Sequence, residues 1–288
     1  VDKKVTFSIA NSFWFDKNFS VQNEYKNNLK EYYNAEVQNI DFSAPSTVNT
    51  INKWCNDQTN GKIDKIIERL SGNEVAALLN AIYFNGKWYQ KFENINTQDR
   101  DFNLPDKSTI KVPTMQQQHD FFAQVYETFT VVELPYGQGN FVIDLFLPSP
   151  NNTIADVLDS LKNNKTIFNS FVTCNVNIFL PKFEYKSDFD LINILKMMGI
   201  NEAFGDNSNF CNISNSQPIK ISKVKQKTYI RLDEEGTEAA AVTHLGFELT
   251  SAQPNQYLEV HFDRPFLYLI REVTTNTIVF IGTVANPL

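Results

Sequence analysis

The segment from Asp233 to Pro265, DEEGTEAAAVTHLGFELTSAQPNQYLEVHFDRP, constrains this chain more than any other. A strand-like stretch leads into it, Gly236 interrupts it, small residues follow, and a second strand-like stretch closes it. The run AAAVT carries too little apolar volume to anchor a core. A plain flexible linker would be richer in Gly and Ser and would tolerate Pro, yet there is no Pro from Glu234 to Gln253. Successive residues of a strand face opposite sides. Counted that way, one face carries Thr237, Ala239, Ala241, Thr243, Leu245 and Phe247, all uncharged. The other carries Glu238, Ala240, Val242, His244, Gly246 and Glu248, and holds every ionisable group of the run. This is the pattern of a strand with one buried face. Gly236 supplies a hinge, because Gly reaches backbone conformations closed to other residues. The same residues also fit a helix start, with Thr237 as cap, acidic residues in the first turn and a run of Ala.

The rest of the chain decides between the two. EEGTEAAAVT resembles the proximal hinge of the reactive-centre loop of inhibitory serpins. TINKWCNDQTNGKI (Thr50 to Ile63), LLNAIYFNGKW (Leu78 to Trp88) and VVELPYG (Val131 to Gly137) resemble serpin signatures, as do IFLPKFEY (Ile178 to Tyr185), FDRPFLYLIRE (Phe262 to Glu272) and FIGTVANP (Phe280 to Pro287). They occur in the family's order and at close to its spacing, from about Phe7 to the end of the chain. The resemblance implies an α+β fold: a large five-stranded central sheet, a second and third sheet, and surrounding helices. The reactive loop would span residues 234–256 and join a strand of the central sheet to a second sheet. Residues 1–288 would form one serpin domain lacking the family's N-terminal helices, so the sequence reads as a fragment.

Composition agrees with such a fold. Of 288 residues, 42% are hydrophobic and 13% aromatic, ample for a large core. The 24 Phe and 11 Tyr suit sheet packing. A net charge of −7 excludes a broadly basic nucleic-acid surface. No apolar run approaches the roughly 20 residues that span a membrane. Cys55, Cys174 and Cys211 are an odd number without a CxxC, so neither a disulfide framework nor a zinc site is implied, and all three read as small core hydrophobes. Sequons stand at Asn18, Asn151, Asn164 and Asn212; they carry meaning only in a secretory eukaryotic setting, and chance in an Asn-rich chain explains them equally well.

Periodicity predicts strands at Val5 to Phe15, Ala76 to Phe84 (buried on both faces), Asn175 to Pro181 and Ile219 to Leu232. Two or three more fall between Phe121 and Leu147 around a Tyr136-Gly137 turn, and strand character runs through Tyr257 to Val284. Helices are predicted at Val21 to Ala35, Pro45 to Asn60, Ile154 to Phe168 and Ser187 to Met198. No linker divides the chain into independent domains.

The resemblance implies a bait mechanism. A serine protease attacks the loop, forms an acyl-enzyme and cuts the chain. The freed hinge then joins the central sheet and drags the enzyme with it. About 14 residues at about 3.3 Å each would make a strand of roughly 45 Å. Tension on the ester would disorder the oxyanion hole, where losing one donor costs about 10²–10³ in rate. The family's hinge length places the scissile bond at Thr250-Ser251. The hinge itself comprises Glu234, Glu235, Gly236, Thr237, Glu238, Ala239, Ala240, Ala241, Val242 and Thr243. A small β-branched Thr250 favours elastase-like enzymes. A register slipped by one puts Leu249 before the cut and favours chymotrypsin- or subtilisin-like enzymes, and Phe247 is a further alternative.

Support residues follow by motif. Trp88 resembles the tryptophan where the loop first enters the sheet, a place that also suits a core Trp. Asn80 resembles an amide of the polar cluster beneath the opening strands. The family's His in that cluster falls on Gln226, which hydrogen-bonds but does not titrate near neutrality. Glu234 is expected to pair with a Lys that sequence does not identify. No metal or cofactor is implied. The expected partner is a target protease held covalently, with no nucleic acid and no membrane, by a secreted (extracellular or periplasmic) monomer.

Other readings are weaker. An enzyme is not indicated: only His119, His244 and His261 are present, with no G-x-S-x-G, Walker sequence or G-x-G-x-x-G. A non-inhibitory serpin, chaperone or ligand carrier, would carry charged, bulky or Pro residues in the hinge where Thr237 and Ala239 to Ala241 stand. Inhibition of papain-like cysteine proteases is the remaining alternative, because the trap needs only an acyl-enzyme.

Overall fold

The structure is a computed structural model that describes residues 2–70, 74–164, 166–214, 219–237 and 257–288. In chain order its strands and helices are β1 (Val5–Asp16), α1 (Asn23–Tyr33), β2 (Glu36–Ile40), α2 (Ser46–Gln58) and β3 (Ala76–Lys87). There follow β4 (Gln98–Asn103), β5 (Thr109–Val125), β6 (Phe129–Tyr136), β7 (Phe141–Pro148), α3 (Ile154–Asn163), β8 (Val172–Pro181) and β9 (Phe183–Asp190). The remainder are α4 (Ile192–Met197), β10 (Val224–Asp233), β11 (Gly236–Thr237), β12 (Leu258–His261), β13 (Phe266–Glu272) and β14 (Thr277–Val284). The chain divides into two compact units.

The first unit holds Val1–Thr6, Asn85–Glu184 and Arg231–Leu288. Its frame is an eight-stranded sheet in the order β12-β8-β5-β6-β7-β13-β14, with β4 paired to β5. The hairpin of β6 and β7 turns at residues 137–140, as the Tyr136-Gly137 reading requires. Its core gathers Phe129, Val131, Phe146, Val157, Ile167, Leu267 and Leu269 beneath α3. That helix starts with a capping box: Thr153 accepts from the Asp156 backbone while the Asp156 carboxylate accepts from the Thr153 backbone. It ends at Asn163, short of the predicted Phe168, which lies in a separate 3-10 turn.

The second unit holds Phe7–Phe84 and Tyr185–Ile230. There β2, β1, β3, β10 and β9 lie side by side. β1 and β2 are parallel, and so are β3 and β10 from Leu78/Val224 to Tyr83/Tyr229. Trp14, Ile51, Cys55, Ile66, Ile67, Leu79, Ala81, Tyr83 and Tyr229 form the core on the α2 side.

Three sequence expectations need correction. β3 is not buried on both faces: Ala77, Leu79, Ala81 and Tyr83 are buried, whereas Leu78, Asn80 and Ile82 are only half-buried. The segment predicted as a helix from Ser187 divides into the end of β9 and the six-residue α4, because Asp188 is drawn into ion pairs with two lysines of β10. Cys211 is exposed and Cys174 half-buried, so only Cys55 packs in a core; all three are free thiols. Burial pushes the Cys55 thiol up to about 12, which leaves it inert.

Candidate functional site

The site sits in the first unit, where β10 ends. After Asp233 the chain turns through Glu234 and Glu235 and comes back as β11. A two-residue connection is the tightest that joins antiparallel strands. Thr237 pairs with Leu232 and Gly236 with Asp233 on one side; on the other, Gly236 pairs with Lys87 and Thr237 with Gly86 at the end of β3. Gly236 and Thr237, which the sequence resemblance assigns to a hinge, are therefore already in a sheet, between the tips of two strands.

Gly236 is obligatory there. Its φ is +144°, a region that L side chains rarely adopt, and a Cβ would lie 2.1 Å from the Gly86 carbonyl oxygen and 2.7 Å from the Lys87 Cα. Both contacts are with backbone, so no side chain can swing aside.

Trp88 organises the turn. Its indole N–H donates to the Asp233 carbonyl at 2.8 Å and its backbone N–H to the Glu235 carbonyl at 2.9 Å. The Phe92 backbone N–H donates to the carbonyl between them, that of Glu234, at 2.9 Å. Three successive carbonyls of a buried turn are thus satisfied from one neighbouring segment, as buried backbone requires. The Trp88 ring stacks on Tyr136 with centroids 4.6 Å apart and planes 8° from parallel, and meets Phe92 edge-on at 6.0 Å. The Tyr136 hydroxyl in turn bonds the Thr237 hydroxyl at 2.6 Å. Burial raises the Tyr136 phenol well above its ordinary value despite that bond, so it stays neutral.

The acids of the turn differ. The lysine that sequence could not name for Glu234 is Lys182, at 2.8 Å, and the Thr97 hydroxyl donates to the other carboxylate oxygen at 2.8 Å. Burial pushes the Glu234 carboxyl up, but Lys182 and Thr97 with a backbone donor outweigh it and hold the group below its usual range. Asp233 goes the other way. Burial raises it, and the Glu235 N–H and the nearby Arg231 offset only part of the effect.

In the second unit, Gln226 and Asn80 are partners in the parallel register of β10 and β3. The Gln226 side-chain amide donates to Asn80 Oδ1 at 3.0 Å, and Asn80 donates on to Asn11 Oδ1 of β1 at 2.9 Å. The amides form a chain across three strands with no titratable member.

Of the residues singled out by sequence, Glu234, Glu235, Gly236, Thr237 and Trp88 come together in one cluster, and Asn80 meets Gln226 in another. Glu238, Ala239, Ala240, Ala241, Val242, Thr243, Phe247, Leu249, Thr250 and Ser251 lie outside the described residues. Sequence reading missed Tyr136, Lys182, Phe92, Thr97 and Asn11 as partners. Tyr136 and Lys182 stand inside the VVELPYG and IFLPKFEY motifs, which was a signal for them. Nothing local points to Phe92, Thr97 or Asn11. No group of His, Cys, Asp and Glu suited to a metal occurs among the described residues, and none of their helices is long and apolar enough to cross a membrane.

Comparison with known proteins agrees with this geometry. The family profile described as Serpin (serine protease inhibitor) matches residues 1–287. Serpin-Z10 of Arabidopsis thaliana is 34% identical over 296 residues, covering 97% of this chain and 76% of its own. The crystal structure of the thermophilic serpin Tengpin in its native state superposes with a TM-score of 0.90 at 29% identity, over 99% of this chain and 74% of that one. Thyroxine-binding globulin in complex with thyroxine superposes with a TM-score of 0.88, also at 29% identity, over 99% of this chain and 77% of that one.

Proposed function

The chain belongs to the serpin family, whose members generally inhibit proteases rather than catalyse reactions, and from that premise we propose that it is an irreversible suicide inhibitor of serine endopeptidases. Residues 1–288 act as a single serpin domain, with residues 234–256 as bait. Cleavage occurs at Thr250-Ser251, or after Leu249 in the slipped register. The acyl-enzyme is trapped when the segment from Glu238 onward continues the strand that Gly236 and Thr237 begin. Elastase-, chymotrypsin- and subtilisin-like enzymes are the favoured targets, each held covalently by one inhibitor monomer. The protein works outside the cell that makes it. The exposure of Asn18, Asn151, Asn164 and Asn212 is compatible with a secretory route.

One observation carries this reading: the seating of Gly236 and Thr237 between the tips of β3 and β10. A strand growing from Thr237 along that line needs small, uncharged residues on its buried face, and Ala239, Ala241 and Thr243 supply them. Parting β3 from β10 would break the Leu78–Tyr83 and Val224–Tyr229 ladder and the Asn80–Gln226 bond. An amide pair is a suitable lock there, since its net worth is only about 1 kcal/mol and it leaves no buried charge when opened.

A ligand-carrier reading has one observation behind it, the likeness to thyroxine-binding globulin in complex with thyroxine. Incubation with elastase-, chymotrypsin-, subtilisin-, trypsin- and papain-like enzymes separates the two. A complex that survives boiling in SDS with a serine enzyme supports the inhibitor; simple nicking of the loop by every enzyme overturns it. Mass spectrometry of the released C-terminal peptide fixes the register.

A further inference from the structure

Lys223, which immediately precedes β10, and Lys225 and Lys227 within it fall at every second residue. Strand alternation puts them on one face. All three line a cavity of about 300 Å³ in the second unit, with the buried Ile66 and Ile67 among its walls. That is near the lower bound for small-molecule sites, about 300 Å³.

The charges in this cavity do not balance. The three lysine side chains are only 16%, 27% and 19% exposed, so each needs a nearby anion. Lys223 has its own, Glu74 at 2.9 Å, and also donates to the Arg69 carbonyl. Lys225 and Lys227 share a single carboxylate, that of Asp188 on β9, at 3.2 and 3.1 Å. Arg69 also lines the cavity, and its guanidinium has no acidic partner among the described residues. The lining itself holds four cations and two carboxylates, Glu68 and Asp188, and even with Glu74, the partner of Lys223, the cations are in excess in a chain whose net charge is −7. The Asp188 side chain is 49% exposed, so water can reach it and an incoming anion can compete with it.

We propose that this cavity is a binding site for a small multivalent oxyanion of the diphosphate class, held by Lys225 and Lys227 and closed by Arg69. A single carboxylate would only duplicate Asp188. A diphosphate brings enough charge to displace Asp188 from the two ammonium groups and still leaves oxygens for the Arg69 fork. The site uses nothing from the loop, so its existence does not depend on the trap.

Isothermal titration of the whole chain with inorganic pyrophosphate, orthophosphate and ADP tests it. Pyrophosphate should bind at least about tenfold more tightly than orthophosphate. Lys225→Gln should weaken it by about tenfold, the worth of one charge-assisted hydrogen bond, and the surface change Arg69→Gln by several-fold. Asp188→Asn should tighten it by removing the internal competitor. Asp206→Asn, which deletes an equal charge from the exposed pair with Lys220, should leave it unchanged. ADP binding above pyrophosphate assigns the diphosphate to a nucleotide and the reverse assigns it to the free anion; both support the site. The proposal is overturned by an absence of saturable binding, by wild-type affinity in both Lys225→Gln and Arg69→Gln, or by Asp206→Asn tightening binding as much as Asp188→Asn.

Discussion

Tyr136 and Thr237 share a hydrogen bond of 2.6 Å between their hydroxyls, and neither residue is exposed at all. The bond ties β6 of the eight-stranded sheet to Thr237, the last described residue before Tyr257. Trp88 lies against the same tyrosine ring and holds the preceding turn by its indole and its backbone. The placement of Thr237 and the aromatic packing are thus one arrangement.

Removing the Tyr136 hydroxyl takes away the bond that the buried Thr237 hydroxyl makes. Tyr136→Phe should therefore cost about 1–3 kcal/mol. For a chain of this size each kcal/mol lowers Tm by about 2–4 °C. Thr237→Val removes the other partner, and the double variant should cost less than the two single variants added together. Urea denaturation of the four proteins measures the coupling; strict additivity would show that the two hydroxyls act independently.

Gly236 is less forgiving. Alanine there would have to clear a carbonyl oxygen 2.1 Å from its Cβ while keeping φ near +144°. We expect β11 to leave its place between β3 and β10, with a loss of several kcal/mol, above the roughly 1–3 kcal/mol of backbone strain alone. Hydrogen exchange at the Trp88 amide, which donates to Glu235, reports the displacement directly. Protection as in the wild type would mean that the turn tolerates a side chain.

The pH dependence of the turn follows from Glu234. Its folded carboxyl titrates below its unfolded value, so its contribution is complete above the unfolded pKa of about 4.3 and is lost as pH falls through the folded value. The stability gap between wild type and Glu234→Gln should be constant from pH 8 to about 5 and close below about 4. Lys182→Met should narrow that gap at neutral pH. A gap that does not shrink at all as pH falls below about 4 would remove the ion pair as its cause.

A second carboxylate carries the opposite sign. Arg271 bridges Asp144 at 2.7 Å and Glu133, neighbours across β6 and β7, with its guanidinium over the Phe168 ring. Two carboxylates share one cation, and burial pushes Asp144 up to about 7. A raised folded pKa means that the folded state holds a proton the unfolded chain has released, so stability falls as pH rises from about 4 through 7. Asp144→Asn should flatten that slope between pH 5 and 8 in urea titrations; an unchanged slope would place the proton elsewhere.

Much of this was legible in the sequence, for identifiable reasons. β1, α1 and α2 have clean periodicity, and Gly236 stood out because one Gly before a run of small residues has few structural uses. Trp88, Asn80 and Gln226 were found by motif, and the structure gives them partners. Lys182, Thr97 and Asn11 were not found, because their contacts with Glu234 and Asn80 join residues 52, 137 and 69 positions apart. The end of β9 was misread as helix because Phe189, Ile192 and Leu195 have helical spacing, whereas the pairing of Asp188 with Lys225 and Lys227 is tertiary.

Thr237→Arg tests the proposed hinge in action. Thr237 is wholly buried with its hydroxyl against that of Tyr136, and an arginine there would bring a charge beside a neutral phenol, at a cost of several kcal/mol. The bait would still be cut, since cleavage needs only the proposed scissile segment, but strand growth would have to begin by burying the guanidinium. Deacylation then overtakes insertion, and the variant should be turned over as a substrate, with cleaved chain accumulating in place of covalent complex on SDS gels. Cleavage of the wild-type loop should raise Tm well beyond the roughly 2–4 °C of a 1 kcal/mol change, because a whole strand is added to a sheet, whereas cleaved Thr237→Arg should show little rise. If both cut proteins gained equally, entry at Thr237 would not be the step that the substitution blocks; if neither gained, the severed segment would not be joining the sheet.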